Sequence, residues 1–122
     1  MDESVVKELE QQADLRAIFE RVKAHLLAQN CQSMTDGECA YRGEDGLRCA
    51  VGVLIEDRHY SRFFEGGTVC DTSVAQALAL SGVGVSQRHL SLLADLQNMH
   101  DLTGPPYWPT RLEAIERQYF GT

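Results

Sequence analysis

The chain has 122 residues, 43% of them apolar, which suits one compact domain that buries roughly two-thirds of its unfolded surface without help from a disulfide or a metal. No apolar run approaches the roughly 18 residues of a membrane-spanning helix, so no membrane partner is expected. Eighteen acidic against eleven basic residues give a net charge of −7, which repels a phosphate backbone and excludes direct nucleic-acid binding as the default reading.

The amino terminus, Met1-Asp2-Glu3-Ser4, is acidic and lacks the positive n-region and apolar core of a secretory signal, so a cytoplasmic location is expected. Residues 1–13 form a polar lead-in, read as a loosely packed helix. The first firm element follows Asp14 as N-cap: Leu15, Ile18, Phe19, Val22 and Leu26 recur at three- and four-residue steps and define one stripe of an amphipathic helix ending near Gln29. His25 lies at the edge of that stripe, as a hydrogen-bonded boundary residue.

After a turn-rich stretch, Ser33 to Glu38, alternation on both sides of Gly43-Glu44-Asp45-Gly46 predicts an antiparallel β-hairpin at about 39–51. The simplest turn is type I with Gly46 left-handed in a G1 bulge, which sets Tyr41 opposite Cys49 and Cys39 opposite Val51. Beyond Cys49 the run to Ile55 reads as a brief strand and then a helix. Asp57 to Tyr60 and Phe63 to Gly67 read as short turns whose aromatics plug the core edge. Ser73 with Gln76 has capping-box spacing for a helix ending at Gly82, and Ser86 caps a broadly apolar central helix reaching about His100. Thr110 with Glu113 marks a last helix, anchored by Trp108. The whole reads as an α+β, mostly helical single domain, 1–122, with four or five helices and one small hairpin.

The chemistry-bearing residues give few motifs. Cys31, Cys39, Cys49 and Cys70 contain no C-x-x-C pair and are read as small buried hydrophobes. His89 and His100 share a helix face but stand about 16 Å apart along it, too far for one ion. No nucleophile elbow, phosphate loop, dinucleotide fingerprint or zinc-protease motif occurs. The one nucleophilic arrangement to be drawn pairs Cys39 or Cys49 with His100, with Asp101 orienting a ring nitrogen. The chain is accordingly read as no enzyme, with no catalytic residue, no metal ligand and no cofactor assigned.

Binding is the class that remains. The first 65 residues hold thirteen acidic and eight basic side chains, and Glu44, Asp45, Glu56, Asp57 and Glu65 form a candidate acidic patch for a basic partner. Tyr41, Arg42 and Arg48 join it as residue types common at interface hot spots.

Cys39-Ala40-Tyr41-Arg42-Gly43, then Gly46-Leu47-Arg48-Cys49-Ala50-Val51-Gly52 and Leu54-Ile55, resemble a family of small uncharacterised proteins of phages, prophages and their bacterial hosts. Tyr60, Glu65-Gly66, Leu96-Gln97, His100-Asp101, Trp108 and Leu112 follow in that family's order, so the resemblance covers about residues 15–119. Family members often carry a cysteine where this chain has Val53, which argues against an obligatory ligand or nucleophile there. The resemblance implies a mobile-element setting in a bacterial cytosol. The expected function is that of a small acidic accessory protein that binds a basic host protein, such as an inhibitor of a defence nuclease of the CRISPR kind. A Cys/His-dependent enzyme or metal-binding protein, and a homo-oligomeric structural or regulatory protein, are the alternatives.

Overall fold

Asp2 opens the first element: its carboxylate accepts from the Ser4 backbone N–H at 2.8 Å and starts a 27-residue helix, α1 (Glu3–Gln29), in the computed structural model, which describes residues 2–121. Met1 and Thr122, the ends of the expected domain, lie outside the described residues. A two-stranded antiparallel ribbon follows, β1 (Met34–Thr35) and β2 (Glu38–Cys39), then short 3₁₀ turns between residues 44 and 64, then α2 (Thr72–Leu80), α3 (Gln87–Leu102) and α4 (Trp108–Phe120). The class is α+β and mostly helical, as the patterning indicates, with four helices.

The stripe Leu15, Ile18, Phe19, Val22 and Leu26 is buried as expected. The helix start is not at Asp14. Residues 2–10 are all exposed, yet the helix runs through them, because a capped first turn needs only propagation to join a helix that packing already holds. α1, α3 and α4 pack against one another, and the core runs through Phe19, Leu92, Leu93, Leu96, Trp108 and Leu112. Fully burying a side chain of this size contributes about 1.5–3 kcal/mol.

Ser86 caps α3 as predicted, accepting from the His89 N–H, and Gly82, at φ +85°, ends α2. The other two capping boxes are corrected. Ser73 lies inside α2, whose N-cap is Asp71, and Thr110 lies inside α4. α4 starts earlier because Pro105 and Pro106 form a 3₁₀ turn and Pro109, with no N–H to satisfy, occupies the first helical turn.

The hairpin expected at 39–51 is also corrected. The paired strands lie one turn earlier, about Asp36-Gly37, and the expected region keeps only a single bridge, Arg42 with Arg48. Its register is the predicted one, with Gly43 N–H donating to the Leu47 carbonyl and Cys49 N–H to the Tyr41 carbonyl. Its turn is a primed one: Asp45 as well as Gly46 has positive φ, 59° and 76°. The predicted pairing of Cys39 with Val51 does not form, since Val51 turns into the 3₁₀ segment Gly52–Leu54. The reason is that backbone donors here are taken by distant side chains. Glu65 accepts from the Tyr41 and Arg42 N–H groups, and Gln97 Oε1 accepts from Val51 N–H. Among the aromatics of the following turns, Phe64 is buried and Tyr60 half-buried, but Phe63 is 85% exposed and plugs nothing.

Candidate functional site

The eight residues picked out as a partner surface divide sharply. Tyr41 is buried and its hydroxyl donates to the Gly67 carbonyl at 2.6 Å; burial raises its pKa. Arg42 is half-buried, stacks on the Tyr60 ring and donates to Asp57 and to the Ile55 carbonyl. Arg48 pairs with the same Asp57 oxygen at 3.1 Å, and the Arg42 hydrogen bond, with the two positive charges, holds the Asp57 carboxyl below its usual range. Glu65 accepts from Tyr41 N–H, Arg42 N–H and the Tyr60 hydroxyl. Tyr41, Arg42 and Glu65 brace residues 39–67 from within, and Arg48 with the 77% exposed Asp57 adds a surface pair to them. Glu56 is exposed and pairs with Arg58. Glu44 and Asp45 are exposed with no ion pair or side-chain hydrogen bond among the described residues. Asp36 and Glu38, on the preceding turn, share that state and escaped notice in the sequence because they fall in a stretch read only as a loop.

The thiol and imidazole drawn together from the sequence do meet. Ligand atoms of Cys39, His100 and Asp101 all lie within 4.8 Å of one another. The pairing is with Cys39; Cys49 is buried elsewhere, with its sulfur accepting from Gly52 N–H. His100 is fully buried, stacked on Trp108, and both of its nitrogens are occupied. Nε2 accepts from the Ser33 backbone N–H at 2.9 Å, so it carries no proton. Nδ1 must then carry the proton and donate it to Asp101 Oδ1 at 2.7 Å. Gln97 Nε2 donates to the same oxygen, and Gln97 Oε1 holds Val51 N–H, so one chain of bonds ties Ser33, α3 and the 49–54 turn together.

That tautomer decides what the cluster can do. A metal at Nδ1 needs the proton moved to Nε2, where it would face the Ser33 N–H, so the imidazole is not set up as a ligand. A general base for Cys39 needs a free ring nitrogen, and neither is free. The thiol itself is pushed up to about 11, chiefly by burial and then by the nearby Asp101 charge, so it stays protonated at neutral pH. Burial pushes Cys49 to about 12. Cys31 and Cys70 are exposed, which corrects the reading of all four cysteines as interior filling.

A second constellation was not foreseen. Ser86 Oγ lies 2.7 Å from His89 Nδ1, and His89 Nε2 lies 2.6 Å from Asp14 Oδ2, a serine, imidazole and carboxylate in line. Asp14, expected to cap a helix, instead links α1 to α3. The Ser86 oxygen also accepts from His89 N–H at 3.3 Å and from Gln11 Nε2 at 3.2 Å, so the group ties α1 to the start of α3. His25 is likewise satisfied, Nε2 against the Arg48 carbonyl, as expected.

What remains open to solvent beside the Cys39 cluster is a cleft of about 210 Å³ lined by Cys39, Tyr41, Glu65–Thr68, Gln97 and Asp101. A second hollow of about 250 Å³ continues from it past Val69, Cys70, Ala94 and Asn98, sharing Gly67, Thr68, Gln97 and Asp101. The segments that carry the sequence resemblance thus supply most of the first hollow's wall. No protein family, no curated protein and no solved structure matches this chain in comparison.

Proposed function

We propose that this chain works by binding a protein with a basic surface and not by covalent chemistry. The observation that carries the reading is electrostatic. Glu8, Glu10, Asp36, Glu38, Glu44 and Asp45 are exposed carboxylates with neither ion pair nor side-chain hydrogen bond among the described residues, while the His100 and His89 rings and the Ser86 hydroxyl are engaged in internal bonds. Four of these carboxylates stand on two successive Asp-Gly turns, 36–37 and 45–46. Unneutralised carboxylates raise the rate of encounter with a basic partner and repel nucleic acid.

The resemblance to phage-encoded proteins supports a setting in a bacterial cytosol, where such a protein would occupy the Lys- and Arg-lined groove of a host defence nuclease. The test keeps the turns intact: Asp36→Asn and Asp45→Asn retain a residue that tolerates positive φ, while Glu38→Lys and Glu44→Lys reverse charge. The combined variant is expected to bind such a partner at least about tenfold more weakly and with a shallower dependence on salt. Unchanged affinity at low salt sinks the reading.

Self-association is the second reading, and one observation favours it. Leu102, 83% exposed, borders an open groove of about 430 Å³ between α3 and α4 that also holds Met99, Ile115 and Arg111, and Tyr107, 67% exposed, lines the adjoining hollow of about 480 Å³ that shares Leu102 and Arg111. A mass that rises with concentration and falls in Tyr107→Ser supports it; a constant monomer mass removes it.

A further inference from the structure

The cleft beside Asp101 has an asymmetry of donors and acceptors. Both protein donors to the Asp101 carboxylate, His100 Nδ1 and Gln97 Nε2, land on Oδ1. Oδ2 receives no N–H or O–H hydrogen bond among the described residues, the Cys39 thiol stands against the same carboxylate, and a third of the side chain is exposed. The Tyr41 hydroxyl is bound to the Gly67 carbonyl, while Thr68 and Asn98 line the hollows with uncharged donors of their own. No Lys, Arg or His side chain of the described residues lines either hollow. One end therefore offers a negative oxygen that wants a donor, and the other end is walled by Val69 and Ala94.

We infer that this cleft is a binding site for a primary ammonium or guanidinium group on an apolar stem, supplied as a Lys or Arg side chain of the protein partner. The head group reaches Asp101 Oδ2 and the methylene stem lies along Val69 and Ala94, so the charge is met and the stem leaves water. A carboxylate whose first oxygen is fixed by two donors presents its second in one orientation, to a single N–H of either head group. The inference rests on the basic-partner reading only for the source of the cation; the site itself is testable with small molecules.

The experiment is a titration of the ¹⁵N-labelled chain with Nα-acetyl-arginine methylamide, Nα-acetyl-lysine methylamide, agmatine and, as the neutral control, Nα-acetyl-norleucine methylamide. Saturable shifts are expected at the Gln97 side-chain amide and at Gly67 and Thr68, with Kd on the order of 1–10 mM for the arginine compound and no response to norleucine. Asp101→Asn keeps the Oδ1 acceptor for His100 and Gln97 but puts a donor where the free oxygen stood, and should weaken binding at least about tenfold. Asn98→Lys, at the exposed rim of the second hollow, should do the same by bringing its own ammonium. Acetyl-arginine binding at least as tightly as agmatine supports the partner side chain as the source. Agmatine binding more tightly keeps the site but overturns that source. No saturable shift with any cation, an equal response to norleucine, or unchanged binding in both variants overturns the site, whatever becomes of the acidic turns.

Discussion

The His100 and Trp108 rings lie nearly parallel, centroids 5.7 Å apart at an interplanar angle of 26°, and both side chains are fully buried. The stack joins the C-terminal end of α3 to the first residue of α4, and Trp108 Nε1 closes the intervening turn on the Thr103 carbonyl. His100→Ala should cost about 2–4 kcal/mol, since it opens a hole under the indole and leaves the Ser33 N–H buried without an acceptor. Trp108→Ala should cost about 3–5 kcal/mol. Denaturant midpoints check both. A His100→Ala chain of native stability would mean that the imidazole is held for some purpose other than structure.

Alkaline pH should destabilise the fold before acid chemistry is considered. Cys39 and Cys49 are pushed from 9.0 to about 11 and about 12, and Tyr60 from 10.0 to about 12, each chiefly by burial. Groups whose folded pKa lies above the unfolded value hold more protons when folded, so their stabilisation is complete below about pH 9 and is lost as pH rises through about 11 to 12. Melting temperature should be flat from pH 7 to 9 and fall beyond. Alkylation by iodoacetamide at pH 8 should modify Cys31 and Cys70 first, Cys39 slowly and Cys49 only on unfolding.

Gly52 is irreplaceable for a steric reason. A Cβ there would stand 2.0 Å from the Tyr41 carbonyl oxygen and 2.7 Å from its carbon, both backbone atoms that cannot swing aside. Gly52→Ala should therefore separate the 49–54 turn from residue 41 and cost at least about 3 kcal/mol, read from equilibrium unfolding. A loss under about 1 kcal/mol would show that the turn has room the close approach denies.

Glu65 and Glu44 should behave oppositely although both were picked from sequence as binding residues. Glu65→Ala removes the acceptor of two backbone N–H groups and a tyrosine hydroxyl and should lower stability by about 2–4 kcal/mol. Glu44→Lys changes an exposed side chain with no partner and should shift stability by less than about 0.5 kcal/mol. Paired thermal melts of the two variants decide the assignment; equal effects would undo it.

The contrast also shows which parts of this molecule a sequence can disclose. The buried stripe of α1, the Ser86 cap of α3, the Gly82 stop and the register of Arg42 with Arg48 all depend on residues within a few positions, and local spacing reports them. The hairpin failed because Tyr41, Arg42 and Val51 give their N–H groups to Glu65 and Gln97, 23 to 46 residues away, and no local pattern records such a debt. Capping boxes failed at Ser73 and Thr110 because the same spacing occurs within a helix turn. At the candidate site the sequence offers Cys39 or Cys49 beside His100 with nothing to choose between them, and Cys39 is the one that meets His100 and Asp101. The direction of the His100 proton, which makes the group structural, follows from a backbone N–H at Ser33 that carries no sequence signal.

The central claim is that this chain acts by an acidic contact and not through its thiol and imidazole. Native mass spectrometry of the tagged chain recovered from bacterial cells, beside its Cys39→Ser and turn-charge variants, tests it most directly. The account predicts a stoichiometric complex with a basic protein that survives Cys39→Ser and disappears when Asp36, Glu38, Glu44 and Asp45 are altered. A chain recovered with a metal adduct that Cys39→Ser abolishes, or a complex indifferent to the four carboxylates, would contradict it.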